Sequence, residues 1–321
     1  MAERILHPSG FVSEDIVMIR RCALFGIMAC CMAGLAGQLS AQENEDGRKT
    51  LVCSTTQVAD FARQVVGDRM RVLCILSPGQ DPHLYEIKPS DSRMVAQADL
   101  CLENGWHLEG NDWMKSLAKD AGKPIVTCVT GARAYFLNDG DVEVHDPHAW
   151  FSPLNAAVYV RNILKGVVKI DPQHKDEYEA RSQLYLAELA ALHSWIRRQV
   201  NKVPPLKRRL VTSHDAFNYF CNEYKFTASA PAGWSTGDEV GGGVTPERRR
   251  EAVESIRKFG VKAIFVETSV NPELIQQIAR DAGVRIGGTL YSDSMGAPGT
   301  AGETYLGMMR ENVLSIVNGL K

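Results

Sequence analysis

Four side chains stand out by type and setting in this 321-residue chain: His83 in Asp81-Pro82-His83-Leu84-Tyr85-Glu86, His148 in Asp146-Pro147-His148-Ala149-Trp150, His214 in Thr212-Ser213-His214-Asp215-Ala216-Phe217, and Asp293 in Leu290-Tyr291-Ser292-Asp293. A neutral imidazole is a strong ligand for borderline divalent ions, and a carboxylate brings negative charge to the same shell. Each of the four follows an expected strand or sits in a loop that opens a helix, and ligands in α/β folds collect beyond the carboxyl ends of parallel strands. Taken singly, a histidine in a proline turn is more often a cap or a surface residue. Four such placements in one chain predict convergence on a single divalent ion. The repeated Asp-Pro-His is also sensible physically, because proline fixes the local backbone and leaves the imidazole little conformational entropy to lose.

The elements that must position these residues can be read from apolar periodicity. From 49 to about 168, short β-rich runs alternate with helical patterns: a strand over 50–54, a helix over 58–66, a strand over 72–76, then further units and a helix from Pro153 and Asn155 towards Ile170. Such alternation predicts a parallel sheet covered by helices. The stretch 171–202 differs. Pro172 stands at a helix start, and Tyr178, Leu184, Tyr185, Leu189, Leu192, Trp195 and Ile196 recur at three- and four-residue intervals, which predicts one long helix ended by Pro204-Pro205. Alternation then resumes, with strands over 209–212, 263–267 and 285–290 and helices near 215–223, 246–259, 273–282 and 304–319. The expected fold class is α/β, with two lobes at 42–170 and 205–321 linked by the helical segment 171–204. Two ligands from each lobe would make the ion itself a bridge, so that its binding favours a closed arrangement.

Composition narrows the function further. Lys plus Arg total 36 against 38 for Asp plus Glu, so no positive surplus draws the chain to nucleic acid. Residues 1–41 read as an N-terminal extension and export signal: Arg20 and Arg21 precede the apolar stretch from Cys22 to Leu35, Leu39-Ser40-Ala41 offers small residues for cleavage, and Met18 is the expected start. Ile27-Met28-Ala29-Cys30 faintly resembles a lipoprotein cleavage box but leaves six residues between Arg21 and Met28 as an apolar core, so free export is expected over lipid anchoring. Beyond the signal stand Cys53, Cys74, Cys101, Cys128 and Cys221, an odd set. Four of the five lie in apolar strand-like runs and are expected as buried thiols, with one Cys53–Cys101 disulfide open if their strands are neighbours. Gly241-Gly242-Gly243 reads as a flexible connector. The runs Lys207-Arg208-Arg209 and Arg248-Arg249-Arg250 read as solvated surface.

Together the motifs resemble the zinc- and manganese-binding solute receptors of ABC importers, the ZnuA and TroA type. The likeness rests on Pro78-Gly79-Gln80-Asp81-Pro82-His83-Leu84-Tyr85-Glu86, the His148 and His214 motifs, Phe265-Val266-Glu267, and Gly288-Thr289-Leu290-Tyr291-Ser292-Asp293 with Thr304-Tyr305-Leu306-Gly307-Met308-Met309. It implies two pseudo-symmetric lobes joined by a rigid helix, a small rocking closure, a monomer working with a membrane permease from the periplasm, and the ligand set His83, His148, His214 and Asp293. In this family the third position is His in zinc-type members and commonly Glu in manganese-type ones; three imidazoles with one carboxylate suit Zn2+, with Mn2+ as the alternative. The segment from Asn138 to His145 is shorter than the His-rich loop that zinc-type members often carry. Glu267 is read either as an orienting carboxylate or as a plain buried one, outside the ligand set. His107, His145, His174 and His193 are read as surface residues, with His145 also placed to hand ions inward. A zinc hydrolase is the main competing class, although four protein ligands close the shell that catalysis needs open, and no His-Glu-x-x-His occurs. A surface adhesin stabilised by metal is the third reading.

Overall fold

The computed structural model describes residues 47–139, 142–228, 246–269 and 272–321. The expected export signal and the Gly241-Gly242-Gly243 connector lie outside the described residues. Strand β1 (Thr50–Cys53) lies between β2 (Arg71–Cys74) and β3 (Leu100–Glu103), and β4 (Ile125–Thr127) pairs with β3, all parallel in the order β2-β1-β3-β4. The central strands β1 and β3 are buried throughout, while β2 and β4 at the edges are half-exposed. A strand covered on both faces has no polar side to alternate with, which is why Leu51-Val52-Cys53 and Leu100-Cys101-Leu102 read as unbroken apolar runs.

The second half repeats this plan. Strand β7 (Arg209–Leu210) pairs in parallel with β8 (Thr227–Ala228), and β9 (Ala263–Glu267) with β10 (Arg285–Leu290). The Phe265 N–H donates to the Val211 carbonyl at 2.9 Å and joins the two pairs. The spatial order β8-β7-β9-β10 therefore matches β2-β1-β3-β4. An antiparallel hairpin, β5 (Phe136–Asp139) with β6 (Val142–His145), projects from the first half.

Helix α1 (Thr56–Val66) starts at Thr55, whose hydroxyl accepts from the Val58 N–H, and buries Val58, Phe61, Ala62 and Val65. Helices α2 (Pro89–Ala96), α3 (Trp113–Asp120) and α4 (Pro153–Ile170) complete the first half. A turn at Pro172–His174 leads into α5 (Lys175–Val200), which is 26 residues long. Its buried stripe is Tyr178, Ser182, Tyr185, Leu189, Leu192, Ile196 and Val200; Leu184, expected on that stripe, is 67% exposed because it falls one position off the three/four spacing. Helices α6 (Asn218–Tyr224), α7 (Pro246–Lys258), α8 (Glu273–Ala282) and α9 (Tyr305–Leu320) belong to the second half. The main apolar cluster runs unbroken from Leu51 and Phe61 through Tyr185 and Ile196 of α5 to Val313 and Leu320 of α9. The two halves thus share one core around the long helix.

The five cysteines among the described residues are free. Strands β1 and β3 are neighbours, but Val52 is the register partner of Cys101 and Leu102 that of Cys53. Side chains alternate faces along a strand, so Cys53 and Cys101 point to opposite sides of the sheet and the disulfide left open from the sequence does not form. Burial raises the Cys53 and Cys128 thiols well above their usual value, while Cys74 on the edge strand is only partly covered. They behave as small hydrophobes.

Glu103 ends β3 fully buried and accepts from the Thr127 hydroxyl at 2.5 Å. Burial, reinforced by Glu109, raises it to about 7. A carboxyl with a raised pKa in the folded state binds more protons there than in the unfolded chain between its ordinary value and about 7. Stability from this group is therefore lost as pH climbs through that window. Glu103→Gln is expected to raise the unfolding temperature at pH 8 and leave it nearly unchanged at pH 5. An equal shift at both pH values in thermal melts would contradict this account.

Candidate metal centre

His83 lies in the turn after β2, His148 between β6 and the turn Ala149–Phe151 that leads to α4, His214 after β7, and Asp293 after β10. The parallel strands of both halves end at this place, which brings together residues up to 210 positions apart in the sequence. His83 Nε2 stands 3.3 Å from His148 Nε2. Asp293 Oδ1 stands 3.3 Å from His148 Nε2, and its Oδ2 stands 3.1 Å from His214 Nε2. One ligand-capable atom from each of the four lies within 4.8 Å of the others. Around a cation at about 2.0–2.1 Å from each donor, neighbouring tetrahedral ligands are separated by about 3.3 Å, so these spacings suit a shared ion. His148, His214 and Asp293 are buried, and His83 is partly exposed at the edge of the cluster.

A carboxylate anchors the backbone of each histidine, and two of the three carboxylates also meet the ring. Asp146 Oδ1 accepts the backbone N–H of His148 at 2.9 Å and also meets its ring Nδ1 at 2.8 Å. Asp81 Oδ1 accepts the backbone N–H of His83 at 2.8 Å. Glu267 Oε1 accepts the backbone N–H groups of Ser213 and His214 at 2.7 and 3.0 Å, and its Oε2 lies 2.7 Å from His214 Nδ1. The Nε2 edges are thereby turned towards one another. His214 Nε2 and Asp293 Oδ1 are buried with no aligned hydrogen-bond partner, an arrangement that a cation between them would satisfy. Ser269 supports Asp293 Oδ2 at 3.2 Å.

Sequence reasoning credited the rigidity of the Asp-Pro-His turns to proline. Their aspartates were missed, although an acid two residues before a histidine is the signature of a side chain capturing its own turn. Glu267 takes the orienting role, outside the ligand group. His145 does not join the group either: its ring stacks on Trp106 at 5.0 Å and packs against Phe136 at 4.7 Å. His174 meets Asp171 at 2.9 Å, and His193 meets the Tyr224 hydroxyl at 3.1 Å.

The family model described as "Zinc-uptake complex component A periplasmic" matches residues 51–319. The chain belongs to this family. It is 31% identical over 305 residues to the metal ABC transporter substrate-binding lipoprotein SloC of Streptococcus mutans, covering 93% of this chain and 95% of that one. It is 34% identical over 307 residues to the manganese-binding lipoprotein MntA of Bacillus subtilis, covering 93% and 96%. Among solved structures, the periplasmic zinc binding protein TroA of Treponema pallidum superposes with a TM-score of 0.79 at 28% identity, covering 85% of this chain and 99% of that one. The two-lobed α/β fold with its long helix is that of the family, whose members are metal-binding receptors of ABC importers and not enzymes.

Burial opposes protonation of His148, yet Asp146 and Asp293 outweigh it and lift the ring to about 9. The same balance, with Asp293 and Glu267 as partners, raises His214. Burial and the two neighbouring rings push His83 down to about 3, so it carries no proton to displace at neutral pH. A metal ion held by His148 would have to displace this proton, so metal affinity at this cluster is expected to rise between pH 6.5 and 9 by about tenfold per unit for each proton released. The sign for the metal-free protein is opposite: stability from the raised His148 is present below about 6.5 and lost as pH rises through about 9. Competition titrations and melts across this range check both slopes; pH-independent affinity would refute proton displacement.

Proposed function

We propose that the chain captures one divalent metal ion between its halves through His83, His148, His214 and Asp293 and delivers it to an ABC-type permease. The observation that supports this best is the approach of four ligand-capable atoms from sequence-distant turns to within 4.8 Å. We divide the exported protein into a first lobe at 42–170, the linking segment 171–204 and a second lobe at 205–321, acting as a monomer. The continuous helix α5 and the shared core favour a small rocking closure over a wide hinge, since neither offers a loop to absorb large dihedral changes.

Zinc is the cargo the donor set favours: three imidazole nitrogens and one carboxylate match its preference, whereas manganese prefers more oxygen. The second reading, manganese, is supported by the name of the relative MntA. For localisation, SloC and MntA are both named lipoproteins, which supports an extracytoplasmic receptor anchored by lipid at Cys30 of Ile27-Met28-Ala29-Cys30 in place of the freely exported form expected from the sequence.

The protein purified without chelator is expected to hold one ion, and His148→Ala to lose on the order of 100-fold in affinity, at or beyond the upper range for loss of an outer-shell partner. A stoichiometry well above one, or unchanged affinity in that variant, would remove the ligand assignment. Direct competition should place zinc above manganese; the reverse order assigns manganese as cargo. Cys30→Ala is expected to release the protein from the membrane fraction, and an unmodified Cys30 in the intact mass of the exported protein would exclude the anchor.

A further inference from the structure

The loop from Asn104 to Trp113 holds no ligand, yet both Asp-Pro-His turns are fastened to it. At one end the Asn104 amide donates to the Pro147 carbonyl at 3.0 Å. At the other end the Trp113 indole N–H donates to the Pro82 carbonyl at 3.0 Å. Each carbonyl belongs to the residue just before a candidate ligand, His148 and His83. Between these ends, Gly110 packs so tightly on the second turn that a Cβ there would stand 2.2 Å from the His83 carbonyl oxygen. Trp106 stacks on His145, three residues before His148.

This loop is under backbone strain. Among the described residues, five non-glycine positions have positive φ, and four of them, Trp106, His107, Asn111 and Asp112, fall within it. Such conformations persist only where the surroundings over-determine them. The constraint is Glu109, which is 2% exposed and flanked by both strained pairs. Its Oε1 accepts the Asn104 N–H at 2.7 Å and the Ser54 hydroxyl at 2.6 Å, and its Oε2 accepts the Gly105 N–H at 3.1 Å. A carboxylate that gathers three donors at the start of the loop fixes where the Asn104 side chain points; the Tyr159 hydroxyl, donating to Asn104 Oδ1 at 2.6 Å, orients the amide so that its N–H faces Pro147.

Resting on the metal-capture reading above, we infer that Glu109 is a positioning residue for the ion: it braces a strained loop whose two ends set the separation of His83 and His148. The sheet alone cannot do this, because the two turns leave different elements, β2 and β6, which are not paired with each other. Groups that hydrogen-bond the ligands themselves typically change metal affinity by about 10–100-fold; Glu109 acts one step further out, through Asn104 and Pro147, so its effect is expected below that range.

The test uses the mature protein loaded with Co2+, whose visible absorption reports ligand number and geometry, alongside zinc competition and melting of the metal-free protein. Glu109→Gln keeps the size of the side chain but replaces an acceptor facing the Gly105 N–H with a donor. It is expected to weaken zinc binding by more than about twofold, short of the roughly 10-fold that loss of a ligand's own partner begins at, and to alter the Co2+ spectrum. Asn104→Ala, which cuts the link to Pro147 alone, is expected to change the spectrum in the same way, and it carries the test if Glu109→Gln does not fold. A lowered melting temperature with zinc affinity within about twofold of the parent and an unchanged Co2+ spectrum would mean that Glu109 only stabilises the fold, and would overturn the brace. Failure of the parent protein itself to bind Co2+ or zinc would overturn the capture reading and the brace together.

Discussion

The arrangement depends on one electrostatic constraint: the Asp293 carboxylate is buried between imidazoles drawn from both halves. An unpaired buried carboxylate is costly, and here it is compensated by His214 and His148, which hold Asp293 well below the usual carboxylate range despite its burial. Those rings are in turn raised by Asp146 and Glu267, which carry the charge balance outward. The ring nitrogens facing Asp293 are the ones that would have to give up protons to a cation held here. Protons hold the cluster together as it stands, and a metal bound there would compete with them for the same positions.

A shared device aims the three imidazoles. In every case a carboxylate accepts the histidine's own backbone N–H: Asp81 for His83, Asp146 for His148, Glu267 for His214. Anchoring the backbone first leaves only ring rotation to settle; Asp146 restricts that through a hydrogen bond to His148 Nδ1, and Glu267 Oε2 lies 2.7 Å from His214 Nδ1. Contacts across the halves extend the same principle. The Gln57 amide donates to the Ser292 carbonyl at 3.1 Å, the Thr56 hydroxyl accepts the Met295 N–H at 2.9 Å, and Asp60 accepts the Tyr305 N–H at 3.0 Å. The first turn of α1 therefore grips the segment that carries Asp293.

Much of the fold was legible. The central strands, the long helix and the alternation in both halves follow from local periodicity, and the four side chains that meet in the structure were candidates from residue type in turns. Leu184 was misplaced because tyrosine and leucine at adjacent positions both suit an amphipathic pattern, and only packing shows which one faces inward. The role of Asp81 and Asp146 was hidden behind the more conspicuous proline. Glu109 and Asn104 went unread because the contacts that tie them to the rest of the molecule, with Ser54 and Tyr159, each span 55 residues.

The sequence by itself determined most of the strands and helices, though not the β5–β6 hairpin or β8, because apolar spacing is a local property of the chain, and it determined which side chains could ligate a metal, because that is a property of residue type. The tertiary structure decided the matched strand orders of the two halves, the register that separates Cys53 from Cys101, and the meeting of three imidazoles with Asp293. These depend on which distant strands become neighbours and on side-chain-to-backbone bonds across the whole molecule. Periodicity records that a face is buried, but not what it is buried against.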